Sequence, residues 1–221
     1  MNVREELFKL EDLKYKEFNA KIIKTKYPVI GIRMPILKKF AKSISKDTTF
    51  VSSDNPYYEE VMLEGLLITY DKDITSFINR FDAFISKIDD WSICDTICAS
   101  SKIVIKNKET FYKYITKYKN SKKEFETRVM IVMLMDYYLD EEYLSRVFKI
   151  IDNIKCHEYY TDMAIAWLVA SSLVKYERET LEYMSNTNIS KFAYNKAISK
   201  ACDSYAISDA LKEKLRSMRI K

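Results

Sequence analysis

The sequence predicts an all-α protein of the HEAT-like solenoid class, an α-α superhelix of about six antiparallel helix pairs with a concave basic groove. Three observations predict it. Two glycines and three prolines in 221 residues leave almost no turn chemistry for sheets or long loops. Apolar residues recur at helical spacing. Helix-starting signals recur so often that the helices pair at intervals of roughly 30 to 50 residues, the period of helical repeats. An irregular α bundle is the alternative, because the repeats are too dissimilar in sequence to prove a period. With no linker to divide it, the chain reads as one solenoid domain over residues 1–221.

The elements follow in order. A first run from Val3 to about Lys24 carries Leu7, Leu10, Phe18 and Ile22 at helical spacing and ends before Tyr27-Pro28. In Gly31-Ile-Arg33-Met-Pro35, the proline suits the first turn of a helix reaching about Ser45. Asn55-Pro56 reads as cap and first residue of a helix to about Tyr70. Asp73 caps a helix to about Lys87, and Asp90 caps the one that begins at Trp91. Ser121-x-x-Glu124 has the capping-box pattern ahead of Phe125 to Leu139. Asp140 starts the next helix, and Glu158 to about Tyr176 holds Trp167. Shorter helices fit Arg178 to Met184, Ser190 to Tyr205 and Ser208 to Arg219, making about twelve.

Bulk properties exclude some functions. No run of about 18 apolar residues is present, and the start Met1-Asn-Val-Arg-Glu-Glu carries acids that a signal peptide avoids. A soluble cytoplasmic protein with no membrane partner is expected. Cys94 and Cys98 have helical spacing, and the single histidine, His157, stands beside Cys156 only; with Cys202 these form no zinc pattern. Buried reduced thiols and no metal or other cofactor are expected.

The net charge of +5 is modest, but its distribution is uneven. Lys102 to Lys123 carries +7, Glu124 to Asp162 carries −5, and Lys191 to Lys221 carries +5. Such blocks suit a positive and a negative face; plain solvated helix surfaces explain them as well.

The chemistry concentrates in Trp91-Ser-Ile-Cys-Asp95. On a helix the indole and the carboxylate fall within roughly 40° of each other, and Lys102 returns to that stripe at about 20°. Arg128 interrupts the otherwise very apolar helix Phe125-Glu-Thr-Arg128-Val-Met-Ile-Val-Met-Leu-Met, where a cation must reach water, a carboxylate or a phosphate. Trp167 lies in Met163-Ala-Ile-Ala-Trp167-Leu-Val-Ala. Taken singly, each tryptophan fits a core position and Asp95 fits helix-dipole compensation. In a stacked solenoid, Trp91, Asp95, Arg128 and Trp167 would fall in the first helices of successive pairs and converge on one surface.

The ordered set Gly31-x-Arg33-x-Pro35-x-Leu37, Trp91-x3-Asp95, Arg128, Ala164-Ile-Ala-Trp167 and Tyr194-Asn195-Lys196-Ala197 resembles the AlkD-like DNA alkylation repair enzymes over about residues 27 to 205. The resemblance implies a HEAT-like fold and a monofunctional DNA glycosylase that removes cationic N3- and N7-alkylated purines from duplex DNA. It implies that Asp95 is the catalytic carboxylate, that Trp91 and Trp167 flank the lesion-bearing deoxyribose, and that Arg128 holds a phosphate. An alkylated purine is already cationic, so what remains is to stabilise an oxocarbenium-like sugar and position water. Aromatic faces contribute about 0.5 to 2 kcal/mol each beside a cation. Most glycosylases turn the base into a pocket; the resemblance implies sugar contact with the base left stacked or facing solvent.

Phosphate contacts are expected from Lys102, from Lys196 and Lys200 one turn apart, and from Arg33, which suits a helix-bridging role equally well. The family often has an arginine one turn after the second tryptophan, where this chain has Ala170. The expected partner is duplex DNA carrying alkylated purines, bound by a monomer. A non-catalytic solenoid on damaged or branched DNA and a protein-interaction scaffold are the competing functions; Asp95 favours the enzyme.

Overall fold

The computed structural model describes residues 2–46 and 50–221, so Met1 and residues 47–49 lie outside the description. The described residues form thirteen α-helices and no strand, as the composition requires. None of these helices is long and apolar enough to cross a membrane. The chain divides into two compact units, residues 1–107 and 108–221. In each, consecutive helices pack in adjacent pairs, the pattern of an α-α superhelix.

The first unit holds α1 (Val3–Phe8), α2 (Leu13–Asn19), α3 (Met34–Ile44), α4 (Tyr58–Ile68), α5 (Ile74–Ile85) and α6 (Trp91–Ser100). The expected first helix is two. The chain breaks at residues 9–12 because Asp12 caps a new helix, accepting from the Tyr15 amide at 2.9 Å. The fourth helix starts at Tyr58 rather than at Pro56; Glu60 reaches back to the Tyr57 amide at 2.8 Å, so Asn55 is not the cap. Every residue of α4 is buried, and α3, α5 and α6 pack on it. At Gly65 a Cβ would lie 2.6 Å from Phe84 and 2.7 Å from Ile97, so only glycine admits α5 and α6 at this distance.

Two close pairs define the register of α4 and α6. Tyr58 meets Ser92, 34 residues on, and Gly65 faces Ile97, 32 residues on. Both partners advance together, so the helices run parallel.

The second unit holds α7 (Lys108–Ile115), α8 (Glu124–Tyr137), α9 (Leu144–Ile151), α10 (Tyr159–Lys175), α11 (Glu177–Met184), α12 (Lys191–Asp203) and α13 (Asp209–Ser217). The sequence reading missed α7 and the 3-10 turns at Lys102–Lys106 and Thr116–Asn120, because this lysine-rich stretch offers no strong cap. Ser121 and Glu124 do not form the expected capping box. The Ser121 hydroxyl donates to Glu126 at 2.6 Å, and Glu124 accepts from the Tyr160 amide at the start of α10. Helix α9 starts at Leu144 rather than at Asp140, whose carboxylate accepts from the Tyr143 amide at 3.0 Å and pairs with Lys108.

Helix α10 lies between α8 and α12 and carries most of this unit's packing. Glu124 meets Tyr160 and Met135 meets Ser171, each 36 residues on. Tyr159 meets Phe192, 33 residues on. Trp167 and Lys200, also 33 residues apart, border one concavity, so α8, α10 and α12 run parallel at a near-constant offset, the repeat that sequence similarity could not reveal.

Candidate functional site

Helix α6 presents Trp91 and Asp95. Its buried face is Ile93, Cys94, Ile97 and Cys98, which leaves Trp91 and Asp95 half-buried on the opposite flank. The two cysteines are free thiols within the apolar face, Cys156 is buried as well, and Cys202 is half-buried.

Buried polar contacts hold the start of α6 and hence the indole. Asp90 is fully buried and accepts from the Ser92 amide at 2.8 Å, the Ser92 hydroxyl at 2.5 Å and the Lys24 amide at 2.9 Å. Asp89 accepts from the Thr25 hydroxyl at 2.9 Å and the Lys26 amide at 2.7 Å. Burial pushes the Asp89 carboxyl above the usual carboxylate range, against the opposing pull of these donors. Burial likewise raises the Tyr58 phenol, whose hydroxyl pairs with Ser92. The Asp89-Asp90 pair therefore ties residues 24–26 to the helix start and leaves Trp91 little freedom at its backbone.

Lys102 does not lie on the helical stripe that the sequence suggests. Helix α6 ends at Ser100, Ser101 leaves the helical region at φ −78°, ψ 56°, and Lys102 opens a 3-10 turn. The α-helical angle from Trp91 therefore does not carry to it, although the ammonium-bearing residue is exposed.

Arg33 precedes α3 and bridges helices: its Nε donates to Asp12 at 2.8 Å, and its guanidinium lies 5.2 Å from the Tyr15 ring centroid. Asp12 is held below the ordinary carboxylate range, first by the Tyr15 amide and then by Arg33. Gly31 in the same motif adopts φ +99°, with room for no side chain: a Cβ would lie 2.5 Å from that of Lys16.

In the second unit, Arg128 is only 5% exposed. Its guanidinium donates to the Tyr160 carbonyl at 2.8 Å and lies over the Tyr160 ring. The need for a partner is thus met in part by the backbone at the start of α10. Trp167 is 38% exposed on α10. It shares with Ala170, Ser171, Lys200 and Asp203 a concavity of about 370 Å³. Ala170 leaves that space open, and Lys200 borders it from α12. Lys196 is exposed one turn earlier, with its ammonium 5.8 Å from the Phe192 ring centroid. Within the second unit, Trp167 and Lys200 therefore border one concavity; within the first, Trp91 and Asp95 share one flank of α6.

A further concavity of about 750 Å³ involves none of these residues. It lies between α9 and α11, with Glu141, Asp152, Glu179 and Glu182 around the stacked rings of Phe148 and Tyr183, 4.1 Å apart. With Lys149 as the one cation in the lining against four carboxylates, the concavity disfavours a phosphate.

The sequence reading also missed three buried acids on α4. Glu59 accepts from the amides of Ile30, Gly31 and Ile32 at 2.8, 2.7 and 3.2 Å. Glu60 pairs with Arg4, and Glu64 with Lys87 and Ser52. The available signal was three carboxylates within a helix whose other residues are almost all apolar, a pattern that demands buried partners.

A family model described as DNA alkylation repair enzyme matches residues 3–210. No curated protein matches the chain.

Proposed function

Because the chain belongs to the DNA alkylation repair enzyme family, we propose that it is a monofunctional DNA glycosylase that excises N3- and N7-alkylated purines from duplex DNA. The observation that carries this reading is the presentation of α6. An indole and a carboxylate share its solvent-facing flank, while the other face and the capping carboxylate are fixed in the core.

The chemistry follows from the substrate. The C1′–N bond breaks and its electron pair returns to the cationic base, which leaves neutral without an acid catalyst. Positive charge then grows on C1′ and the ring oxygen. Asp95 stabilises it across a short distance, Trp91 supplies a π face, and Trp167 bounds the deoxyribose in the same reading. Water adds at C1′ and its proton passes to Asp95 or solvent. Arg33, Lys102, Arg128, Lys196 and Lys200 act on phosphates, the sequence-independent part of affinity. The protein acts as a monomer and as one solenoid, in the cytoplasm, without metal or cofactor.

The test is release of 7-methylguanine or 3-methyladenine from methylated duplex DNA. Release by the wild-type protein, abolished or strongly reduced in Asp95→Asn, is expected. Intact lesion DNA after prolonged incubation with folded protein rejects the reading. Salt-sensitive DNA binding without release, indifferent to Asp95→Asn, would assign a non-catalytic role.

A further inference from the structure

The start of α12 carries a second group of exposed aromatic and cationic side chains, 8 residues before Lys200. Phe192 is 40% exposed and Tyr159, from α10, is 57% exposed; their ring centroids lie 5.9 Å apart. Large aromatic rings left in water are costly to a folded monomer; the two planes are tilted by 51°, so each ring offers its own π surface to a flat partner. Phe192 is also one wall of a concavity of about 480 Å³, completed by Lys191, Asn195, Lys196, Ser199 and Arg219.

Its titratable side chains are two lysines and one arginine, of which Lys191 already donates one N–H to the Lys221 main-chain oxygen and keeps others. The wall opposite α12 is built rather than loose. Asn195 donates to the Ile220 carbonyl at 2.9 Å and accepts from the Ile220 amide at 3.0 Å, and Arg219 donates to the Ser199 hydroxyl at 2.9 Å. An arginine that spends one N–H on Ser199 keeps others for an anion.

A π surface beside three cations fits a ligand that combines a flat ring with phosphate. We infer that the Tyr159–Phe192 face and the adjoining Lys191, Lys196 and Arg219 bind an unpaired nucleotide of single-stranded DNA, its base stacked on the aromatic face and its phosphates in the cationic concavity. This rests on the reading of the chain as a DNA enzyme. Duplex DNA cannot use the aromatic face, because its bases are already stacked; an overhang, gap or frayed end can.

The register fixes where such a nucleotide lies. Tyr159 to Trp167 and Phe192 to Lys200 are each eight-residue steps on parallel helices. Eight residues rise about 12 Å, three to four base steps at 3.4 Å each. The face therefore engages DNA a few nucleotides from whatever Trp167 and Lys200 contact.

The test uses unlesioned duplexes that are blunt, or carry an overhang of about six thymidines, or the same overhang made of abasic units, on either strand end. Fluorescence anisotropy reads affinity. We expect the thymidine overhang to bind roughly tenfold tighter than the abasic one. Phe192→Leu, which keeps an apolar side chain but removes the ring, should close most of that gap, and Tyr159→Leu part of it. Equal affinity for thymidine and abasic overhangs, or a gap that survives Phe192→Leu, overturns the inference. Lesion excision without the gap overturns it while leaving the glycosylase reading intact. A Phe192-dependent gap without excision upholds it and removes the glycosylase reading.

Discussion

Replacing Glu59 with glutamine separates a structural from a DNA-binding role for the Gly31-Ile-Arg33 segment. Glu59 is fully buried, and its two oxygens accept three consecutive backbone amides: Ile30 at 2.8 Å on one oxygen, Gly31 at 2.7 Å and Ile32 at 3.2 Å on the other. Glutamine has nearly the same shape but only one acceptor oxygen. Its best orientation keeps Gly31 and Ile32 and turns the NH2 group toward the Ile30 amide.

One buried N–H is then orphaned, at about 1–3 kcal/mol, and two charge-assisted bonds become neutral, at about 1 kcal/mol each. Relief of the buried charge returns part of this. A net loss of about 2–4 kcal/mol follows, or roughly 4–16 °C in Tm for a chain of this size. Urea unfolding measures the loss, and hydrogen exchange locates it, with faster exchange at Ile30, Gly31 and Ile32. A loss below about 0.5 kcal/mol with unchanged exchange at these amides would refute the account of the segment as one built around Glu59.

Two further predictions concern packing and charge. Gly65→Ala should destabilise the first unit by about 1–3 kcal/mol despite the higher helix propensity of alanine, because the new methyl meets Phe84 and Ile97; denaturant melts of the variant read it directly. Asp140 is held below the ordinary carboxylate range: burial pushes it up, and Lys108 with the Tyr143 amide outweighs that push. Its stabilisation is therefore present above the unfolded aspartate pKa, about 3.9, and lost as pH falls through the lower folded value. Asp140→Asn should melt below the wild type at neutral pH and converge with it in acid, which melting curves across pH would reveal.

The helices were legible wherever a short polar residue met an apolar period. Asp73 and Asp90 cap helices as the sequence suggests, and Ser190 and Ser208, where it starts two more, prove to be their caps. The misreadings arose where a polar side chain serves a distant partner. Glu124 turns to the Tyr160 amide, which lies 36 residues away and cannot be inferred from local spacing. Asp12 looked like a residue inside a helix because nothing local announces that it caps one helix and holds Arg33. At the candidate site, the common flank of Trp91 and Asp95 follows from a four-residue spacing within one helix. The position of Lys102 does not, because the helix ends at Ser100 and an angle summed over eleven residues fails once a 3-10 turn intervenes.

The repeat itself escaped the sequence for a different reason. Parallel helices meet at offsets of 32 to 36 residues, yet the residues that meet are complementary rather than alike: Gly65 with Ile97, Glu124 with Tyr160, Met135 with Ser171. A small residue must face a large one, and a carboxylate must face an amide, so stacking selects against self-similarity at the contact points. What is conserved from helix to helix is spacing, which leaves the outward flank of each helix unconstrained by its neighbours. That freedom leaves Trp91 and Asp95 on α6, and Lys196 on α12, open to the roles proposed for them at little cost to the stack. Substitutions on those flanks should therefore change what the protein binds far more than whether it folds.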